Sequence, residues 1–196
     1  LGTMGRPFAT NIVQAGFDLV VHDLRPEPVA ELVKLGARAA GSCREIAQQA
    51  DIVDIAGRNE EQVQTIMRGP EGLFAGAHAG LIAVIHTNFH PTRIQQLAEE
   101  AKAHGVEILD AQMSGGVGGV VNRNTCLMIG GDPSVLERCR PVLESSAGKN
   151  IYLMGPVGMG SMTKIAQNMM TATYLMAANE GFRLAEQTGV DLAAFQ

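Results

Sequence analysis

Two polar side chains lie four residues apart near the end of the 196-residue chain, where the sequence is otherwise free of charge. Lys164 and Asn168 would share one face of a helix. A lysine on an apolar surface loses hydration, which lowers the pKa of its ammonium group and allows proton exchange near neutral pH. The pair therefore suggests general acid–base chemistry, with Asn168 holding the reacting oxygen. The alternative is a lysine that only reaches water from a helix start.

A second candidate site is the sequence Ser114-Gly115-Gly116, which follows an apolar run. A hydroxyl group and backbone N–H groups free of side-chain obstruction suit an anion such as a carboxylate. The alternative is a flexible turn without a ligand.

A third candidate site is the stretch Gly2-Thr3-Met4-Gly5, which opens a helix and is followed by a strand that ends at Asp23. This is the second half of a dinucleotide-binding pattern, in which glycines let the backbone approach a pyrophosphate at the helix N-terminus. Asp23 lies where a carboxylate accepts the ribose hydroxyls, which favours NAD over NADP. Arg25 could instead pair with the 2′-phosphate of NADP or face solvent. The alternative is a glycine-containing turn before an ordinary helix.

The two histidines His86 and His90 lie four residues apart and could suggest a metal site. Pro91 follows them, which predicts a surface loop rather than one helical face, and no cysteine or carboxylate cluster supplies a third ligand. We therefore expect no bound metal.

The composition excludes several classes of protein. A formal charge of −5 argues against nonspecific binding of nucleic acid, which needs a basic surface. Three cysteines at unrelated spacings predict reduced thiols rather than a disulfide framework. The uncharged run over 165–179 is too short to span a bilayer. We expect a cytoplasmic protein with neither a membrane nor a nucleic-acid partner.

The elements that must position these residues alternate between strands and helices. Strands are predicted at 17–22, 51–56, 81–86, 106–109, 125–129 and 151–153, and helices at 4–15, 26–35, 42–49, 60–67, 91–104, 132–143 and 161–187. This order predicts an α/β fold with a doubly wound, mainly parallel sheet. The last helix is apolar on most faces and is expected to be covered by helices absent from this sequence or by a second subunit.

Four segments together resemble the β-hydroxyacid dehydrogenase family, which is related to the NAD-binding domain of 6-phosphogluconate dehydrogenase. The segments are LGTMGRPFATNIVQAGFDLVVHD, VIHTNFHP, LDAQMSGGVGG and GPVGMGSMTKIAQN, in the order of the family and over essentially the whole chain. The resemblance implies a Rossmann-like domain over residues 1–160, with its first strand upstream of Leu1. Residues 161–196 would begin the long first helix of an all-α C-terminal domain that is missing or truncated here.

The resemblance also assigns roles to individual residues. Lys164 matches the active-site lysine and Asn168 the asparagine one turn later. Ser114, Gly115 and Gly116 match the positions that hold the substrate carboxylate, and Thr87 matches a hydroxyl near the nicotinamide. The residues expected to bind the cofactor are Gly2, Thr3, Met4, Gly5, Asp23, Leu24, Arg25, Gly57, Arg58 and Thr87.

The function implied is that of an oxidoreductase. It would transfer a hydride reversibly between NAD, or NADP as the alternative, and a small 3-hydroxy acid of the 3-hydroxyisobutyrate or tartronate semialdehyde kind. Lys164 would act as general acid and base, and the protein would be a homo-oligomer, a dimer or tetramer. Two alternatives stay open: an imine reductase-like enzyme, although imine reductases usually lack the lysine, and a non-catalytic dinucleotide-binding module.

Three departures from the family border the expected active site. Gly57-Arg58 stands where relatives often have Leu-Pro, and Gln112-Met113 stands where they usually have Pro-Val. His86 and Asn88 flank Thr87 where relatives prefer small or apolar residues. These departures bear on the identity of the substrate more than on the type of reaction.

Overall fold

The computed structural model describes residues 1–195, which form an α/β fold. The strands are β1 (Val20–Val21), β2 (Arg38–Ala39), β3 (Ile52–Ile55), β4 (Leu81–Ile85), β5 (Val106–Ser114), β6 (Cys126–Gly130) and β7 (Ile151–Gly155). The helices are α1 (Gly5–Gln14), α2 (Pro26–Lys34), α3 (Cys43–Gln49), α4 (Glu60–Met67), α5 (Leu73–Gly76), α6 (Pro91–Ala103), α7 (Gly116–Val121), α8 (Pro133–Ala147), α9 (Met159–Gln187) and α10 (Leu192–Phe195).

The main sheet has five strands in the order β3-β4-β5-β6-β7. Its pairs are parallel except β5 with β6, which run antiparallel and place Ser114 opposite Cys126. The strands β1 and β2 form a separate parallel pair. The predicted α/β fold with a mainly parallel sheet is confirmed.

The main sheet is covered on both faces by different groups of helices. On one face, Ile85 of β4 and Ile108 of β5 belong to a core shared with α4 and α6. On the other face, Leu109 and Ala111 of β5 belong to a core shared with α1 and α8. Because side chains alternate along a strand, Asp110, Gln112 and Ser114 of β5 share the face of Ile108, and α9 begins against that face.

Several predicted elements match closely, and the differences have physical reasons. The helix predicted at 42–49 forms as α3, and Ser42 caps it by accepting a hydrogen bond from the N–H of Glu45 at 3.2 Å. The strand predicted at 106–109 extends to Ser114 because its polar residues find buried partners on α9. The glycine-rich stretch after it forms α7 instead of an open turn, a short helix that propensity alone does not favour.

The long helix α9 is buried at its beginning and exposed over most of its length. Among its described residues, burial is confined to Gly160, Ser161 and Ala185. Large apolar side chains farther along are exposed, such as Tyr174 at 65% and Met176 at 71%. A search of the described residues finds no helix with both the length and the hydropathy that a membrane span requires.

Candidate active site

The glycine loop at the start of the chain leads directly into α1. The N–H of Arg6 donates to the carbonyl oxygen of Gly2 at 3.0 Å, which starts the helical turn. A Cβ at Gly5 would lie 3.2 Å from Cβ of Ala56, so a larger side chain here would crowd the end of β3. A Cβ at Gly2 would meet no atom within 4 Å. The loop is therefore closely packed at Gly5 and open at Gly2, as a backbone that receives a phosphate group must be.

Asp23 lies just beyond β1 and approaches the same loop. Its carboxylate accepts hydrogen bonds from the N–H of Arg25 at 2.9 Å and from Nε of Arg25 at 3.3 Å. Burial by itself would raise the pKa of Asp23, but the hydrogen bonds to its carboxylate outweigh burial, so the pKa is lowered. Asp23 is therefore ionised at neutral pH. Its neighbour Leu24 is 93% exposed.

The loop after β3 is tied to the loop after β4 through a threonine hydroxyl. Thr87, which is buried, donates from Oγ1 to the carbonyl oxygen of Gly57 at 2.9 Å. A Cβ at Gly57 would lie 3.1 Å from Val63 and 3.3 Å from Oγ1 of Thr87. This close approach explains a glycine at position 57. Arg58 is exposed and its N–H donates to Gln62 at 2.8 Å.

The predicted cofactor residues, with the exception of Thr87, line one elongated groove together with His86 and Met113. The nine residues are Gly2, Thr3, Met4, Gly5, Asp23, Leu24, Arg25, Gly57 and Arg58. The groove offers backbone N–H groups at a helix N-terminus for a pyrophosphate and an ionised carboxylate for a ribose, which fits a dinucleotide. Within residues 1–195, no three His, Cys, Asp or Glu side chains lie close enough together to hold a metal ion.

The predicted catalytic lysine lies in a second cluster, outside the lining of the groove. Nζ of Lys164 donates to Oε1 of Gln167 at 3.1 Å, and Nε2 of Gln167 donates to Oγ of Ser114 at 3.0 Å. Burial lowers the pKa of Lys164, and the nearby Cys126, in its thiolate form, opposes this in part. The structure thus brings Lys164 and Ser114 together, and Gln167 connects them.

Gln167 was absent from the sequence-based site, although a signal for it exists. It lies three residues after Lys164, so the two share a helix face as Lys164 and Asn168 do. Asn168 is exposed on α9, and its side chain makes no hydrogen bond to any residue of 1–195. Gly115 and Gly116 are exposed at the start of α7 with φ of +125° and +61°, a backbone region that favours glycine.

His86 corrects the prediction of a pair of surface-loop histidines. It is buried, with Nδ1 2.9 Å from the carbonyl oxygen of Ala111 and Nε2 3.2 Å from Oδ1 of Asp54. His90 is exposed, as predicted. The difference arises because His86 directly follows β4, an inner strand of the covered sheet, where a buried polar ring needs partners from the neighbouring strands β3 and β5.

Gln112 joins the cofactor loops to the sheet and was noted in the sequence only as a departure from relatives. Its Nε2 donates to the carbonyl oxygen of Thr87 at 3.0 Å and to Oδ1 of Asp110 at 3.1 Å. Both Gln112 and Asp110 are fully buried. No charge pattern in the sequence marks Gln112 and Asp110 as part of the site, because the partners Thr87 and Ser161 lie on distant segments.

The sheet, the glycine loop and the groove define this chain as a dinucleotide-binding α/β domain. The sequence pattern described as the NAD binding domain of 6-phosphogluconate dehydrogenase matches residues 1–155. The chain belongs to this family of NAD-binding domains, and the resemblance predicted from its four segments is confirmed.

Characterised relatives extend the comparison over nearly the whole chain. An NAD-dependent L-serine dehydrogenase of Pseudomonas aeruginosa is 34% identical over 191 residues, which are 97% of this chain and 64% of that protein. A 3-hydroxyisobutyrate dehydrogenase of the same organism is 34% identical over 98% of this chain and 64% of its own length. The structure of 3-hydroxyisobutyrate dehydrogenase from Mycobacterium tuberculosis with L-serine superposes with a TM-score of 0.90 at 33% identity, covering 97% of this chain and 64% of that one. The chain thus spans slightly less than two thirds of these relatives.

Proposed function

We propose that this chain is part of an oxidoreductase that transfers a hydride reversibly between NAD(P) and a small 3-hydroxy acid. The observation that carries the proposal is the chain of hydrogen bonds from Lys164 through Gln167 to Ser114. It places an amine whose pKa is lowered by burial beside a hydroxyl suited to a carboxylate. The names of the dehydrogenase relatives support the same class of reaction.

Lys164 is the proposed general acid and base. The bound nicotinamide supplies the hydride acceptor or donor. During oxidation the neutral amine of Lys164 takes the proton of the substrate hydroxyl, and during reduction its ammonium returns that proton. Asn168, on the next turn of α9, is proposed to hold the same oxygen. Ser114, together with Gly115 and Gly116, is proposed to hold the substrate carboxylate.

The proposed cofactor contacts fall into three groups. The residues Gly2, Thr3, Met4 and Gly5 face the pyrophosphate, whereas Asp23, Leu24 and Arg25 face the adenosine ribose. The residues Gly57, Arg58 and Thr87 lie towards the nicotinamide. NAD is favoured over NADP because ionised Asp23 repels a 2′-phosphate and because Arg25 is already paired with Asp23.

The organisation of the protein follows the same proposal. Residues 1–160 form the dinucleotide-binding domain, and residues 161–196 begin a helical domain. The exposed apolar side chains of α9 favour burial against further helices or a second subunit, so a homo-oligomer, a dimer or tetramer, is proposed. The substrate is a small molecule, and cytoplasmic localisation is part of the proposal.

A spectrophotometric assay tests this function. The full-length protein is mixed with NAD or NADP and a panel of small hydroxy acids, with cyclic imines and NADPH in a parallel series, and the absorbance of the reduced nicotinamide is followed. We expect turnover with 3-hydroxy acids and NAD. Turnover with imines alone would assign the protein to imine reduction, and tight dinucleotide binding without any turnover would make it a non-catalytic module.

A further inference from the structure

Asp110 is a fully buried carboxylate that the proposed chemistry does not use. Its Oδ2 accepts from the backbone N–H of Gly158 at 2.9 Å and of Ser161 at 3.0 Å. Its Oδ1 accepts from Oγ of Ser161 at 2.9 Å and from Nε2 of Gln112 at 3.1 Å. Among residues 1–195 no lysine, arginine or histidine pairs with it. Donors from two separate segments therefore compensate the buried charge, and three of the four come from Ser161 in the first turn of α9 and from its N-cap Gly158.

The contact between Asp110 and the start of α9 anchors that helix on the sheet. Gly160 and Ser161 are buried against β5 and β6, whereas the following two turns are largely exposed. A Cβ at Gly160 would lie 2.6 Å from the carbonyl oxygen of Met128 and closer still to that of Asp110. A Cβ at Gly130 would lie 2.9 Å from the N–H nitrogen of Gly160. The helix start and the strands are thus in backbone contact, and the carboxylate lies at that contact.

The anchor determines where Lys164 is held. Lys164 follows Ser161 by three residues, so it lies almost one turn farther along the same face of α9. A change in the rotation or depth of the first turn would move the amine relative to Ser114 on β5. The other end of the network reaches the cofactor side, because Gln112 bonds both Asp110 and the carbonyl oxygen of Thr87.

We infer that Asp110 is a positioning residue, which holds the start of α9 against the sheet so that Lys164 and the cofactor loop at Thr87 keep a fixed relation. The inference rests on the proposed function, since it explains how the proposed proton-exchanging amine is placed. Asp110 touches neither substrate nor cofactor in this scheme and acts through Ser161 and Gln112.

A graded set of variants in the full-length protein tests this role. Asp110→Asn can keep the two backbone hydrogen bonds of Oδ2 but turns an NH₂ group towards the amide of Gln112, whereas Asp110→Ala removes all four hydrogen bonds. Ser161→Ala removes the hydroxyl alone. Asp132→Asn is the matched control, because Asp132 caps α8 on the opposite face of the sheet through the N–H of Ser134 at 2.7 Å.

Two readouts separate positioning from stability. The first is steady-state kinetics: we expect kcat to fall about 10-fold in Asp110→Asn and Ser161→Ala and about 100-fold in Asp110→Ala, with the dissociation constant of NAD changed less than about 3-fold. The second is the pH dependence of acylation of Lys164, measured by mass spectrometry with exposed Lys102 as internal reference. Burial lowers the pKa of Lys164, so a displaced α9 should raise the midpoint of its acylation. Cys126 is the other titrating group that acts on Lys164, and it is unchanged in all variants.

The outcomes test the positioning role of Asp110 and the proposed function of the protein separately. If Asp110→Asn and Ser161→Ala keep the kcat and the Lys164 midpoint of the parent protein, the positioning role is wrong, even if their melting temperatures fall as far as that of Asp132→Asn. If the parent protein turns over no hydroxy acid while its Lys164 midpoint still moves in the variants, the proposed function fails and the positioning of Lys164 stands.

Discussion

Replacing Gln167 by glutamate should move the pH dependence of the reaction without disturbing the fold. Gln167 is partly buried, and its Oε1 lies 3.1 Å from Nζ of Lys164. A carboxylate at this distance attracts the ammonium of Lys164 by about 1.3 kcal/mol at the dielectric constant of water and by about 5 kcal/mol at an effective value of 20. Because Lys164 is only partly buried, we expect its pKa to rise by about one to two units.

The direction of the effect follows from the roles of the two protonation states. Oxidation requires the neutral amine of Lys164, so a higher pKa moves the rising limb of kcat to higher pH and lowers the rate at pH 7 by about 10-fold or more. Reduction requires the ammonium, so its falling limb should also move to higher pH. A shift of both limbs in the same direction is not produced by a general loss of activity.

The assay is kcat measured against pH in both directions with saturating NAD or NADH. Gln167→Leu is the control, because it removes the hydrogen bonds of Gln167 to Lys164 and Ser114 without adding a charge. It should weaken substrate binding but should not raise the pKa seen in the profile. If Gln167→Glu leaves both limbs where the parent protein has them, Lys164 in this contact does not exchange the proton.

Three further predictions concern other parts of the site. Lys164→Ala should keep dinucleotide binding and lower kcat by about 100-fold or more, measured by titration with NADH and by steady-state assay; near-normal turnover would contradict the role of this lysine. Asp23→Ser should lower the ratio of kcat/KM for NAD to kcat/KM for NADP by at least about 10-fold, because it removes the charge that repels a 2′-phosphate and frees Arg25. An unchanged ratio would show that Asp23 does not face the ribose. Gly160→Ala should destabilise the protein by about 1–3 kcal/mol through the contact with Met128. Gly181→Ala on the same helix is the control and should not destabilise it, because a Cβ there meets no atom within 4 Å. Equal melting temperatures of the two variants by calorimetry would refute the close packing at Gly160.

Much of the secondary structure could be predicted because its signals are local. The apolar run at β4 and the Ser42 cap of α3 each lie within a few residues of what they specify. The antiparallel pairing of β5 with β6 could not be predicted in the same way, since α7 and its loop separate the two strands and the alternation of strands and helices favours a parallel sheet. The short helix α7 could not be predicted because all of the first five residues from Gly115 are glycine or valine, which favour neither a helix nor a clear boundary.

The candidate site divides in a similar manner. The positions of Lys164, Ser114 and the glycine loop follow from motifs that are contiguous in the sequence. The roles of Gln167 and Asp110 depend on contacts between distant parts of the sequence. Gln167 contacts Ser114, which is 53 positions away, and Asp110 contacts Ser161, which is about 50 positions away. No pattern within a single segment predicts a hydrogen bond of that kind.

The sequence by itself therefore determined the class of fold, the family and the chemical identity of the groups around the reaction, because residue types and local spacing are sufficient for each. Tertiary structure alone decided that His86 is buried between Asp54 and Ala111 and that Lys164 meets Ser114 through Gln167. It also decided that a buried carboxylate holds the start of α9. The physical reason is the same in each case: a polar group buried on one segment must find its partner on another, and only the packing of the segments determines which partner is within reach.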